Sequence, residues 1–195
     1  MSGYIRHATH GGIGLHNTGP YVRTLGQHEL LFLHNGHLGQ IMDDVHLQGP
    51  FKPVGETDSE FAFCWLLERI VTDPDKWFLM AVDEQLKQVA GFAQIIREYG
   101  PANFLFADGE TLFVHADRRL QLDTGKVEPP AIFRLDCPDR LAQGLERDCR
   151  LSDSGLEQEM LLFASRPLSE EPWQPMVRGE LLAVKQGRVL AQLQI

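Results

Sequence analysis

Two groups within residues 31–40 (LFLHNGHLGQ) can donate hydrogen bonds to one oxygen: the Asn35 side-chain amide and the Gly36 N–H. Two donors converging at the end of a buried strand are what an oxyanion hole requires, and glycine lets bare backbone come close to whatever lies opposite. Asn-Gly is also an ordinary β-hairpin turn, so the dipeptide leaves both readings open. Two further polar clusters supply charge. Arg6, within residues 6–11, offers a planar fork suited to a carboxylate, and Asp58, within residues 55–60, offers a carboxylate suited to an ammonium. Together the three clusters would hold the two charged ends of an α-amino acid and leave Asn35 and Gly36 to polarise a side-chain carbonyl. Read alone, Arg6 is equally a surface charge, and Asp58 a residue that the macrodipole favours at a helix start.

The elements that must position these groups follow from periodicity. The apolar run 30–33 predicts a buried strand over residues 29–33 that stops at Asn35-Gly36, and residues 4–5 form a strand stub leading into the glycine-rich segment RHATHGG. Residues 11–20 and 37–53 read as loops, the second with one short helical turn. Thr57 and Glu60 have capping-box spacing, with hydroxyl and carboxylate each taking up a free N–H. The helix that follows, over residues 61–71, is apolar on nearly all sides, which predicts a place between layers, and Pro74 stops it. A second helix is expected over residues 76–97, ended by Gly100-Pro101. Apolar runs on either side of Asp108-Gly109 predict a β-hairpin, residues 131–135 and 161–164 read as strands, 166–175 as an extended loop, and 180–194 as a terminal hairpin turning at Gln186-Gly187. Strands, helices, then strands give an α+β layered domain.

Composition narrows the function classes. The chain has 195 residues, which suits one domain over 1–195, and its 43% hydrophobic and 23% charged residues are ordinary globular values. A net charge of -9 and a pI near 5.3 argue against nucleic acid or an anionic membrane as partner. Neither a signal-peptide core nor a bilayer-length apolar stretch is present, so a cytoplasmic location is expected. Cys64, Cys137 and Cys149 lack metal spacing and read as reduced structural thiols. Seven of the eight histidines fall within the first 46 residues. His7 with His10, and His34 with His37, have i, i+3 spacing, but both pairs lie in strand-end or loop segments without an acidic or cysteine partner, so neither a metal nor a cofactor is expected.

RHATHGG, LHNGHL and GETDSE, in this order, resemble the glutaminase domain of class II glutamine amidotransferases, and GETDSEFAFCWLL is most similar to its small stand-alone members. The resemblance runs from Arg6 to the region of Arg166, Pro167, Leu168 and Trp173. It implies an N-terminal-nucleophile-hydrolase-like four-layer αββα sandwich and hydrolysis of the glutamine side-chain amide to glutamate and ammonia. By motif position it implies that Arg6 binds the substrate α-carboxylate, Asp58 the α-ammonium, and Asn35 with Gly36 the oxyanion. Thr9 and His10 would line the glutamine pocket, largely through backbone.

Two departures from the family pattern set further expectations. The family's nucleophile is a cysteine at the mature N-terminus whose own α-amine is the base. No cysteine stands there in this sequence; Cys64 lies inside an apolar helix, and Ser2 sits only four residues before Arg6. The expectation is an N-terminally truncated domain, with the cysteine-bearing segment absent and glutamine hydrolysis impaired. Gly19 replaces a histidine that family members commonly carry before the proline. A different class of function is a non-catalytic module that binds glutamine or a γ-glutamyl compound, and a third is a γ-glutamyl amide hydrolase acting on a larger substrate. Expected partners are L-glutamine or a γ-glutamyl compound, a second copy of the chain paired through an open sheet edge, and a separate ammonia-accepting protein.

Overall fold

The structure is a computed structural model that describes residue 12 and residues 14–70, 74–137 and 160–195. Its centre is a six-stranded antiparallel sheet. The strands are β1 (Tyr21–Leu25), β2 (His28–Asn35), β3 (Asn103–Ala107), β4 (Leu112–His115) and, after the segments introduced below, the C-terminal hairpin Glu180–Lys185 and Arg188–Gln194. They are joined in that order. Four helices intervene between β2 and β3: α1 (Ile41–Asp44), α2 (Asp58–Ile70), α3 (Pro74–Leu79) and α4 (Val82–Ile96). Two short strands, β5 (Arg119–Leu120) and β6 (Val127–Glu128), pair with each other. A second sheet joins β7 (Phe133–Cys137) between β8 (Met160–Ala164) and β9 (Gln174–Pro175), which leaves the terminal hairpin as β10 and β11.

Alternation along the strands separates the two faces of the large sheet. Opposed residues in antiparallel strands share a face, so Phe32, Phe106, Phe113 and Ala183 form one row across β2, β3, β4 and β10. That row packs in one core with Phe63, Leu66 and Leu67 of α2 and Val89, Phe92 and Ala93 of α4. Phe32 stacks on Phe63 at 5.3 Å and on Phe104 at 5.5 Å between ring centroids, within the range of favourable aromatic pairs. Val114, Leu182 and Val184 point the other way and pack with Ile132, Met176, Leu161 and Phe163 around the second sheet. The chain is therefore α+β, with the helix, sheet and sheet layers of the expected sandwich in contact through two apolar interfaces. Among the described residues, no helix is long and apolar enough to cross a membrane.

The Asp108-Gly109 and Gln186-Gly187 hairpins form where the turn residues place them, with Gly109 at φ 94° and Gly187 at φ 74°. The Asp108 carboxylate accepts the Glu110 and Thr111 N–H groups at 3.0 and 2.8 Å, which closes the first turn from its own side chain. Residues 21–25, to which the sequence pattern assigns no element, form β1 and pair with His28–Phe32 around Gly26. Arg23 and Thr24 interrupt the apolar pattern there; β1 is the outermost strand of the sheet among the described residues, and the Arg23 side chain has a buried partner in Glu60.

The helix over residues 76–97 is two helices. Ala81 is extended (φ -64°, ψ 145°), and its carbonyl accepts the Glu84 and Gln85 N–H groups that begin α4. The Gln85 side-chain amide donates to the Trp77 carbonyl at 2.9 Å, closing the end of α3. The apolar period continues across the break because both helices bury side chains in the same core. The capping box is also only half formed. Thr57 Oγ accepts the Glu60 N–H, but the Glu60 carboxylate accepts from Val54 and Gly55 N–H and from Arg23. Pro74, expected to stop α2, is the first residue of α3.

Candidate functional site

β2 ends by delivering Asn35 and Gly36 to an exposed rim. The turn is not a hairpin: β2 lies between β1 and β3, and the chain continues from Gly36 into α1. The turn is pressed against the segment preceding β3. A Cβ on Gly36 would lie 1.8 Å from the Pro101 carbonyl oxygen, and one on Gly100, at φ 153°, would lie 2.0 Å from the His37 carbonyl oxygen. Both glycines are required by this backbone-to-backbone approach, since a real Cβ cannot come so close.

Asp58 is the first residue of α2, and its side chain, 14% exposed, reaches across to this turn. Oδ2 accepts the Leu38 N–H at 2.6 Å and lies 3.2 Å from His37 Nδ1, while Oδ1 accepts the Ser59 N–H at 2.8 Å. A carboxylate at a helix N-terminus is stabilised by the free N–H groups and dipole there. His34, one residue before Asn35, is buried. Its Nε2 lies 3.0 Å from the Pro101 carbonyl, which can only accept, so Nε2 carries the proton and Nδ1 accepts from the Ser59 hydroxyl at 2.9 Å. Burial pushes the His34 pKa down against the pull of Asp58, so the ring is neutral. The same Pro101 oxygen therefore seats both the His34 ring and Gly36.

The segment before α2 is pinned from the other side. The Asn17 amide, fully buried, donates to the Gly12 carbonyl at 2.9 Å and accepts the Glu56 N–H at 2.8 Å. The Tyr21 hydroxyl lies 2.8 Å from Thr57 Oγ. Below it, the Arg23–Glu60 ion pair lies at 2.5 Å with the carboxylate 2% exposed, tying β1 to α2. The Cys64 thiol lies 3.7 Å from the same guanidinium, buried, and burial pushes its pKa up. It is a protonated core thiol, as its place in an apolar helix predicts.

Of the site residues read from the sequence, Asn35, Gly36 and Asp58 are brought to one place through the turn they share. Arg6, Thr9 and His10 lie outside the described residues, as does Ser2. Among the described residues, no group of three His, Cys, Asp or Glu side chains is placed to hold a metal ion. His34 and His37 face different partners despite their spacing. Sequence reasoning missed the structural roles of His34, Ser59, Gly100, Pro101 and Asn103. Gly100-Pro101 carried a signal that was read only as a helix stop. Asn103, at the start of β3, carried none, since its partners are far away in sequence.

The chain is similar to known proteins over most of its length. Residues 2–195 match the family model of class-II glutamine amidotransferases. An uncharacterized protein of Methanocaldococcus jannaschii is 36% identical over 96% of this chain and 50% of its own length. A protein of Escherichia coli assigned by name to the glutamine amidotransferases is 33% identical over 91% of this chain and 66% of its own length. The chain thus spans about half to two thirds of these curated relatives. The crystal structure of a predicted glutamine amidotransferase from Pseudomonas aeruginosa superposes with a TM-score of 0.66 at 28% identity, covering 91% of this chain and 66% of that one.

Proposed function

Since this chain belongs to the class II glutamine amidotransferases, we propose that its rim site binds L-glutamine and presents the side-chain amide for hydrolysis to glutamate and ammonia. Asp58 takes the α-ammonium and Arg6 the α-carboxylate, while Thr9 and His10 line the pocket. The Asn35 amide and the Gly36 N–H donate to the γ-carbonyl oxygen. As a nucleophile adds to the γ-carbon, that oxygen gains negative charge, and fixed donors stabilise it more than they stabilise the ground-state carbonyl. The proton that the nucleophile gives up passes to the amide nitrogen, and ammonia leaves as the C–N bond breaks. Water then cleaves the acyl bond to the nucleophile, releasing glutamate and restoring the nucleophile's proton. The observation that carries the reading is the 2.6 Å hydrogen bond from Leu38 N–H to Asp58 Oδ2, which holds an ammonium-binding carboxylate against the turn bearing both oxyanion donors.

The Cys64 thiol is buried and protonated, so it does not supply the nucleophile that the family uses. On this reading the site binds glutamine, and hydrolysis uses a nucleophile other than Cys64. The buried Cys64 favours a second reading, a non-catalytic module for glutamine or a γ-glutamyl compound; a γ-glutamyl amide hydrolase for a larger substrate is the third. Titration calorimetry with L-glutamine, and ammonia release measured on the same sample, separate these. Binding lost in Asp58→Asn supports the site; turnover that survives in Ser2→Ala points to another nucleophile; no binding to the unsubstituted chain rejects the assignment. The acceptor of the ammonia is a separate cytoplasmic protein on this reading, and a homodimer paired through a sheet edge is checked by sedimentation.

A further inference from the structure

Asn103 carries an inference that rests on reading Asn35-Gly36 as the oxyanion turn and goes beyond it. Its side chain is 1% exposed and its hydrogen bonds are committed. Nδ2 donates to the Asn35 carbonyl at 2.8 Å and to the Arg118 carbonyl at 2.7 Å, and Oδ1 accepts the Asp117 N–H at 2.7 Å. Two carbonyls on one side and an N–H on the other leave only one orientation of the amide. The Asn35 carbonyl and the Gly36 N–H belong to a single peptide unit, which is trans, because the cis bonds among the described residues are Gly19-Pro20 and Pro129-Pro130. In a planar trans peptide, C=O and N–H point in opposite directions. A donor that holds the Asn35 oxygen toward β3 therefore holds the Gly36 N–H away from it. That is the flank of β2 on which, among the described residues, the pairing with β1 ends at Phe32.

We infer that Asn103 is a positioning residue that sets the direction of the Gly36 N–H by clamping the Asn35 carbonyl. The clamp sits at the last rung of the β2–β3 ladder, where Asn35 pairs with Asn103 and no further rung prevents rotation of the next peptide. Arg118 and Asp117 in turn fix the clamp: Asp117 is fully buried and lies 2.9 Å from Arg178 and 3.4 Å from Arg97.

The test uses the whole chain with Asn103→Asp, which turns the donor into an acceptor at constant shape, and Asn103→Ser, which removes it without charge. Three readouts are taken: the crystal structure of each variant, the calorimetric affinity for L-glutamine, and the Gly36 amide resonance on titration with L-glutamine. The expected result is a rotated Asn35-Gly36 peptide and loss of the glutamine-induced Gly36 shift. Affinity falls no more than about tenfold, because Arg6 and Asp58 still hold the ligand's ends. A folded variant that keeps both the peptide plane and the Gly36 response overturns the inference. If the unsubstituted chain does not bind glutamine, the functional reading fails, and the peptide plane alone decides the role of Asn103. If neither variant folds, exchange of the Asn103 side-chain amide protons in the unsubstituted protein decides: slow exchange supports the clamp and fast exchange overturns it.

Discussion

His34 Nδ1 lies 2.9 Å from the Ser59 hydroxyl oxygen, so the strand that ends in Asn35 and the helix that begins with Asp58 are joined one residue from each. The bond is a strut between the proposed oxyanion donors and the proposed ammonium acceptor. Ser59→Ala removes the donor and leaves Nδ1 of a buried, neutral ring without its partner. The expected cost is about 1–3 kcal/mol of stability. Denaturant unfolding measures it, and a change below about 0.5 kcal/mol would mean that the strut contributes little.

Gly36→Ala and Gly91→Ala are expected to move stability in opposite directions. The first places a methyl group 1.8 Å from the Pro101 carbonyl oxygen, which is backbone and cannot swing away. It should cost at least about 2 kcal/mol and abolish glutamine binding. Gly91 lies inside α4 with nothing within 4 Å of its Cβ position, so alanine there should add about 0.5–1 kcal/mol. Thermal melts of the two variants side by side check the pair.

Stability should decline on mild acidification through His115. Its Nδ1 donates to the Ala102 carbonyl at 2.7 Å, the ring is buried, and burial pushes its pKa from 6.5 down to about 4. A group whose folded value lies below its unfolded value binds its proton more readily when unfolded. Its contribution is therefore full above about pH 6.5 and is lost as pH falls toward 4, by on the order of 3 kcal/mol. Burial lowers the His34 value too, and adds in the same direction. Unfolding free energy measured from pH 7.5 to 4.5 should show the slope. His115→Gln, which keeps an N–H for Ala102, should flatten it.

Arg23→Ala should destabilise the chain by about 3–5 kcal/mol, because it leaves the Glu60 carboxylate, 2% exposed, without its guanidinium. The effect is expected to exceed that of Lys185→Ala, whose partner Glu110 is an exposed carboxylate screened by solvent. Chemical denaturation of the two variants ranks them, and equal costs would contradict the buried-pair argument.

Local patterns in the chain were enough for much of the architecture. Alternating apolar residues around Asp108-Gly109 and Gln186-Gly187 specify hairpins, and Thr57 before an apolar stretch specifies the start of α2, because each signal acts within a few residues. Asn35, Gly36 and Asp58 were legible as candidates from their types and order, and Arg6, Thr9 and His10 became candidates through the resemblance to the family. The tertiary structure decided what local signals cannot carry. Residues 21–25 become a strand by pairing with β2 and are tied to α2 by the Arg23–Glu60 ion pair, and the expected long helix breaks where Gln85 turns back to cap Trp77. Why residue 36 must be glycine depends on Pro101, and the direction of its N–H on Asn103, both more than sixty residues away in sequence. Backbone approach and buried hydrogen bonding are satisfied by whatever group folding brings alongside, so they leave no periodic trace in the chain.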